Sequence, residues 1–174
     1  MNGSMKTMNK WTRRYLQRAK EVAQWSKDPS SKVGAVIVSH RGQSISEGYN
    51  GFPRGIEDSE ERLNNREIKY KYVVHGEMNA IYNAGWNGAS TFGTTLYVYG
   101  LPVCSECAKG VIQTGIGRVV VMHPRDIPEI WETRWADSKS MFEEVNLWYT
   151  RYYDDETLVE DYRPWDESVG PSLR

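Results

Sequence analysis

From residue 10 to residue 27 the apolar positions Trp11, Tyr15, Ala19, Val22 and Ala23 return at helical spacing among basic and polar neighbours. That periodicity predicts an amphipathic helix, stopped by Asp28-Pro29. The period then changes. Gly34-Ala35-Val36-Ile37-Val38 is a short β-rich run, residues 40–43 form a turn, and residues 44–49 make a second strand, so the two read as a hairpin. Residues 50–69 are polar, carry both charge signs and are punctuated by Gly51, Pro53 and Gly55. They predict a long loop with a helical turn around 60–66, and a loop of that length in a compact domain is functional or disordered.

Beyond the loop, helix and strand alternate. Residues 77–83 have helical character that ends near Gly85, residues 95–99 form a strand, and residues 104–113 form a helix closed by Gly115. Residues 118–122 are an apolar run of the kind found inside a sheet. A further helix over 138–145 and a last strand over 147–153 complete the pattern. The tail from Asp154 is acidic and holds Pro164 and Pro171; it reads as a lid, an arm to a neighbouring subunit, or disordered chain. An opening hairpin followed by alternating helices and strands predicts an α/β domain over 10–150, a mixed sheet layered with helices. Disordered residues 1–9 would precede it and the tail, 151–174, would follow.

Composition narrows the functional classes. The chain of 174 residues fits one globular domain, and 39% hydrophobic with 26% charged residues excludes a disordered or fibrous protein. A formal net charge of −1 argues against binding a nucleic-acid polymer by counterion release, while leaving room for a local basic pocket for one phosphate. No apolar run approaches the length of a bilayer span, and the first residues lack the hydrophobic stretch of a secretory signal. A reducing, cytoplasmic compartment follows as the expectation. There the two cysteines, Cys104 and Cys107, read as metal ligands or redox groups rather than as a disulfide scaffold.

The chemistry concentrates in His75-Gly76-Glu77 and in the Cys104–Cys107 pair, each following a predicted loop and opening a predicted helix. One imidazole and two thiolates supply three ligands and leave the fourth tetrahedral position open, as in a catalytic zinc site. Helix starts favour thiolates through their unpaired N–H groups and positive dipole end. Glu77, two positions beyond His75, is then free to move protons. His-x-Glu followed by Pro-Cys-x-x-Cys is the signature of zinc deaminases of nucleobases. Two plainer readings compete. A redox pair would sit just after an early strand of a thioredoxin-like unit, whereas this one comes late. A closed structural zinc would need a fourth ligand, His40 or His123, and these fall in a polar turn and at a strand end.

The resemblance extends beyond the metal ligands. Residues 26–35 (Ser-Lys-Asp-Pro-Ser-Ser-Lys-Val-Gly-Ala), 48–55 (Gly-Tyr-Asn-Gly-Phe-Pro-Arg-Gly), 75–81 (His-Gly-Glu-Met-Asn-Ala-Ile), 104–109 (Cys-Ser-Glu-Cys-Ala-Lys) and 112–116 (Ile-Gln-Thr-Gly-Ile) resemble, in order, the deoxycytidylate (dCMP) deaminases of the cytidine deaminase-like superfamily. The resemblance implies a three-layer α/β/α sandwich with a five-stranded mixed sheet. It implies Zn²⁺ held by His75, Cys104 and Cys107, with Glu77 as proton shuttle, hydrolysing dCMP to dUMP for thymidylate synthesis. Asn50 would contact the substrate's sugar or base, and the N–H of Gly76 would face the pyrimidine carbonyl. It implies a homo-oligomer, often a hexamer, activated by dCTP with Mg²⁺ and inhibited by dTTP through a site that uses the glycine-rich loop.

Lys27, Lys32 and Arg54, with Asn50, are the candidates for phosphate or effector contacts, with solvated surface charge as the competing reading of the three cations. Phe52 sits in the loop that should border the pocket; most other aromatics read as core or subunit contacts. Two positions depart from the family. Gly76 stands where the family commonly has alanine, which keeps the N–H but costs about 0.5–1 kcal/mol of helix preference. Val103 is an extra residue between Pro102 and Cys104, expected to alter the wall beside the base. Rival readings are a tRNA adenosine or riboflavin-pathway deaminase, a catalytically silent nucleotide-binding zinc protein, and an interaction module built on the acidic tail. The near-neutral charge and the Gly-Tyr-Asn-Gly loop favour the nucleotide enzyme over the first, Glu77 over the second; only the tail supports the third.

Overall fold

The structure, a computed structural model, describes residues 8–164. Its elements run α1 (Lys10–Ala23), β1 (Gly34–Val38), β2 (Ser44–Tyr49), α2 (Glu60–Asn64), α3 (Arg66–Tyr72), α4 (Gly76–Trp86), β3 (Thr95–Tyr99), α5 (Ser105–Gln113), β4 (Arg118–His123), α6 (Glu129–Glu144), β5 (Trp148–Tyr153) and β6 (Leu158–Tyr162). The strands form one mixed sheet in the order β2-β1-β3-β4-β5-β6. β1 is antiparallel to both β2 and β3, β3-β4-β5 are parallel, and β6 returns antiparallel to β5. The parallel pairs are joined by α5 and α6, as a parallel connection requires a crossover.

Side-chain alternation along the strands builds two cores. Val36, Val38, Tyr97, Val120 and Met122 pack with Leu16, Ala19 and Val22 of α1. Ala35, Ile37, Leu96, Val98, Val119 and Val121 face the other way, onto α4, α5 and α6. The result is the expected α/β/α sandwich. Two glycines set the spacing of its layers. A Cβ on Gly34 would run into the Ala19 carbonyl of α1, and one on Gly48 into the Ala80 nitrogen of α4, so both helices lie against bare backbone.

The structure corrects four expectations. The first helix stops at Ala23 rather than residue 27, because the Asp28 carboxylate accepts the N–H groups of Ser30 and Ser31 and turns the chain locally. Its buried stripe is Leu16, Ala19, Val22 and Ala23, with Trp11 left outside beneath the Arg14 guanidinium. Within the supposed loop 50–69, Ser59 and Asn65 cap two short helices, and Asn65 also closes the first of them. α6 begins at Glu129, well ahead of residue 138, on a start set by Pro128.

The fourth correction concerns the sheet, which has six strands and not five. The boundary drawn at residue 150 falls within β5, and part of the acidic tail forms β6. A tight turn carries the chain over: Tyr153 N–H donates to the Thr157 carbonyl, and Glu156 adopts φ 67°. The acidic residues of β6 find partners on arrival. Asp161 accepts from the Thr150 hydroxyl, while Glu160 accepts from Lys139 and from the Trp135 indole. At the other terminus Met8 is buried in the α1 core and Asn9 caps α1. The remainder of segments 1–9 and 151–174, residues 1–7 and 165–174, lies outside the described residues.

Candidate active site

His75 and Cys104 occupy equivalent places, each the N-cap of a helix, α4 and α5 respectively. Cys107 follows one turn into α5. The two helices pack side by side on the sheet, which brings the His75 Nδ1 to 3.3 Å from both Cys104 Sγ and Cys107 Sγ. All three donor atoms lie within 4.8 Å of one another, the only such cluster among the described residues. His40 and His123 are not part of it. His40 is exposed, and the buried His123 places Nδ1 2.6 Å from the Pro124 carbonyl oxygen. Both cysteines are free thiols.

The donor set itself argues for a cation. Hydrogen bonding from the Cys107 thiol and the neighbouring imidazolium hold Cys104 down to about 4, whereas its bond to Cys104 and burial push Cys107 above the ordinary thiol range. The bond to Cys104 raises His75 to about 9. Without a cation, one thiolate therefore forms beside an imidazolium and the second thiol stays protonated. A divalent metal ion would let both sulfurs ionise and the imidazole serve as a neutral ligand. One nitrogen and two sulfurs with room for a fourth ligand suit zinc.

Glu77 lies in the first turn of α4 and is 3% exposed. It stands outside the three-donor cluster. Burial pushes its carboxyl up to about 7, against the pull of the His75 charge. That places the group where it can both accept and release a proton near neutral pH.

His75, Glu77 and Cys104 line a cleft of about 620 Å³, and Cys107 is buried. One wall comes from the segment after α1, with Ser31 and Val33, and from Asn50 at the end of β2, and another from α3, with Arg66, Lys69 and Tyr70. The start of α6 closes the opposite side, where the Trp131 ring lies 6.5 Å from the His75 ring. Lys69 is buried and bonds Asp28 at 3.2 Å and the Ser30 hydroxyl at 3.0 Å.

The residues singled out from sequence divide between this cleft and other places. His75, Glu77, Cys104 and Asn50 line it. Asn50 is fixed by its own amide, which accepts from Val33 N–H and donates to the Ser31 carbonyl, both at 2.8 Å. Gly76 opens α4, and a Cβ there would come within 3.0 Å of the Val33 carbonyl oxygen and 3.4 Å of Asn50 N. The glycine is thus matched to a close approach of the β1 and β2 ends. Phe52 instead lines a smaller cavity beside the cleft and meets Tyr72 edge-on.

Lys27 pairs with Asp58 at 3.0 Å on that smaller cavity, and Lys32 reaches only the Gln24 carbonyl. Arg54 bonds Asn83 and lies over Trp86, on a shallow hollow between β2 and α4. Val103, expected in the pocket wall, belongs to the core, and its carbonyl accepts from the Ser138 hydroxyl of α6 at 2.7 Å. Trp131, Arg134, Arg66 and Tyr70 were missed. The α6 pair lies before the expected helix start; Arg66 falls inside the expected loop and Tyr70 directly after it.

Known proteins share this arrangement. The sequence profile described as the cytidine and deoxycytidylate deaminase zinc-binding region matches residues 9–123. An uncharacterized deaminase of Aliivibrio fischeri is 38% identical over 141 residues, covering 80% of this chain and 92% of its own. Mouse deoxycytidylate deaminase is 43% identical over 117 residues, and the match spans 64% of each chain. The dCMP deaminase of cyanophage S-TIM5, solved with dCMP and dUMP, shares the fold with a TM-score of 0.63 at 22% identity, covering 87% of this chain and 98% of that one. No helix among the described residues is long and apolar enough to cross a membrane. With the profile covering more than half of the sequence and all three donors inside it, the chain belongs to the zinc-binding cytidine and deoxycytidylate deaminase family.

Proposed function

We propose that the chain hydrolyses dCMP to dUMP and ammonia. The observation that carries this reading is the buried Glu77 beside three convergent donors at the floor of a nucleotide-sized cleft. The similarity to mouse deoxycytidylate deaminase supports the choice of base and sugar. His75, Cys104 and Cys107 would hold the zinc, which when bound would make water nucleophilic near neutral pH.

The chain's own groups do the rest. Glu77 takes a proton from the attacking water as the new C–O bond forms at C4 and delivers it to the ring nitrogen; it then takes the remaining proton of the new C4 hydroxyl and passes it to the amine as the C–N bond breaks and the C4 carbonyl forms. Asn50, held rigid by Val33 and Ser31, retains a second amide hydrogen for the sugar or base. The N–H of Gly76, in a first turn that lacks intrahelical partners, faces the pyrimidine carbonyl. Trp131 walls the site against bulk water.

The proposal includes the family's regulation and assembly, a hexamer activated by dCTP with Mg²⁺ and inhibited by dTTP. The effector would engage the glycine-rich loop, where Lys27, Asn50, Gly51 and Phe52 line a smaller cavity of about 130 Å³ beside the cleft. Asp28, Asn50, Lys69 and Val73 belong to both cavities and form the partition between them.

The test is ammonia release from dCMP, dCTP, deoxycytidine and adenosine-containing RNA, assayed side by side on protein of measured zinc content. Turnover confined to dCMP, with sigmoidal kinetics straightened by dCTP, is expected. Preference for RNA, or full activity in metal-free protein, would overturn the reading.

A further inference from the structure

We infer that Arg151 and Glu132 are positioning residues: their ion pair fixes the first turn of α6 and so holds Trp131 in its place beside His75. The inference rests on the deaminase reading above. Both residues lie beyond residue 123, where the matched family profile ends.

The start of α6 needs such a hold. Pro128, Ile130 and Trp131 line the cleft, yet Pro128 makes no side-chain bond to the free N–H groups of the first turn. This end of the helix therefore lacks the usual local device against fraying. Deeper in the helix the anchorage is firm. Trp135 packs edge-on against Phe142 and Tyr149, and its indole donates to Glu160 at 2.6 Å. Ser138 donates to the Val103 carbonyl. Glu132 sits on the unanchored side of these contacts, one residue from Trp131, and its carboxylate accepts two bonds from Arg151 at 2.9 and 2.7 Å.

Arg151 comes from the interior of the sheet. It shares a face of β5 with the core residue Tyr149 and stands opposite the core residue Val121, a position where an apolar side chain would fill space. The arginine side chain is instead only 5% exposed, with its guanidinium 5.7 Å from the Trp135 ring and a second carboxylate, Glu160 of β6, at 3.5 Å. A buried ion pair is a poor source of net stability, because desolvation offsets the attraction. A two-bonded arginine–carboxylate pair does supply a fixed distance and plane. Here it ties the free end of α6 to β5, and Glu160 ties the same guanidinium to β6. The Trp131 ring, next along the helix, is thereby kept 6.5 Å from the His75 ring.

The experiment compares the parent with Glu132→Ala, Arg151→Lys, Trp131→Ala and the Glu132→Ala/Trp131→Ala double variant, all zinc-loaded. Glu132 is 46% exposed and Arg151 keeps Glu160 without it, so Glu132→Ala is expected to fold. Amide hydrogen exchange over residues 129–134 should rise roughly tenfold in Glu132→Ala and Arg151→Lys, with residues 105–113 of α5 unchanged. The kcat/KM for dCMP should fall roughly tenfold in both, as fits the loss of one charge-assisted hydrogen bond. In the Trp131→Ala background, Glu132→Ala should change neither kcat/KM nor the affinity for dUMP measured by calorimetry, since its effect passes through the ring.

Exchange at the parental level in both variants would overturn the hold. Raised exchange with parental kcat/KM, or an equal loss in both backgrounds, would reduce the pair to general bracing and overturn the positioning role, with the deaminase reading left standing. A parent that releases no ammonia from dCMP would overturn the substrate reading. The positioning role would still stand if exchange rose and dUMP affinity fell with Glu132→Ala only where Trp131 is present.

Discussion

The helices of this protein start in two ways. α1, α2 and α3 begin at Asn9, Ser59 and Asn65, and each cap side chain accepts a first-turn N–H. α4, α5 and α6 begin at His75, Cys104 and Pro128, and none of these makes a side-chain cap bond. All three uncapped starts line the cleft. A cap stabilises a helix by about 0.5–2 kcal/mol, so the site is assembled where local stability has been given up. At α4 and α5 the cap position holds a donor atom directed out of the helix, at the end where the dipole and the free N–H groups favour negative charge. At α6 the hold comes from the side of the helix. Glu132 forms a two-bonded pair with the buried Arg151 of β5, and Ser138 bonds the Val103 carbonyl. The starts of α4 and α5 are specified by the donors they must hold; the capped starts, including that of α3 at the edge of the cleft, are specified by hydrogen bonding.

The largest expected effect lies in the first turn of α4. Glu77→Gln keeps the side chain's size and removes its proton exchange, so kcat for dCMP should fall roughly 10²- to 10⁴-fold while bound zinc and the unfolding transition stay as in the parent. Zinc by mass spectrometry and steady-state rates on one preparation decide the matter. A variant close to parental activity would mean that the uncapped start of α4 serves structure and not chemistry.

His75→Asn exchanges a ligand for a preferred cap. Zinc binding and turnover should be lost, yet the metal-free chain should gain about 1 kcal/mol of stability, because asparagine can bond the first-turn N–H groups that the imidazole leaves unused. Urea unfolding of both proteins in chelator measures this. A variant less stable than the metal-free parent would break the contrast between the two kinds of start.

The same contrast explains what could be read from the chain. The convergence of His75, Cys104 and Cys107 beside Glu77 was legible because the spacing is set by chemistry: a His-x-Glu and a Cys-x-x-Cys each need to open a helix. The buried strands were legible because β1 and β4 carry nearly continuous apolar runs. The walls of the cleft were not. α3 buries only Lys69 among its residues, and α6 only Trp135, Ser138 and Phe142, so neither shows the broad apolar stripe that marks a helix. Strand β6 was hidden by acidic residues whose partners, Arg151, Lys139 and Thr150, are distant enough that only the folded sheet brings them together.

The smallest effect tests the capped starts. Asn9 accepts the Thr12 N–H at 2.9 Å, on the face of the sheet opposite α4 and α5. Asn9→Ala should lower the unfolding free energy by about 1 kcal/mol, since it deletes the cap bond and leaves Thr12 buried. Its kcat/KM for dCMP should match the parent, because no residue of α1 lines the cleft. Denaturation and kinetics on the same protein separate the outcomes. Activity that falls together with stability would show α1 coupled to the site, and one close route runs through the backbone contact at Gly34, one residue from Val33 on the cleft wall. In that event the two kinds of helix start would not divide structure from chemistry, and stability on one face of the sheet would be a condition of catalysis on the other.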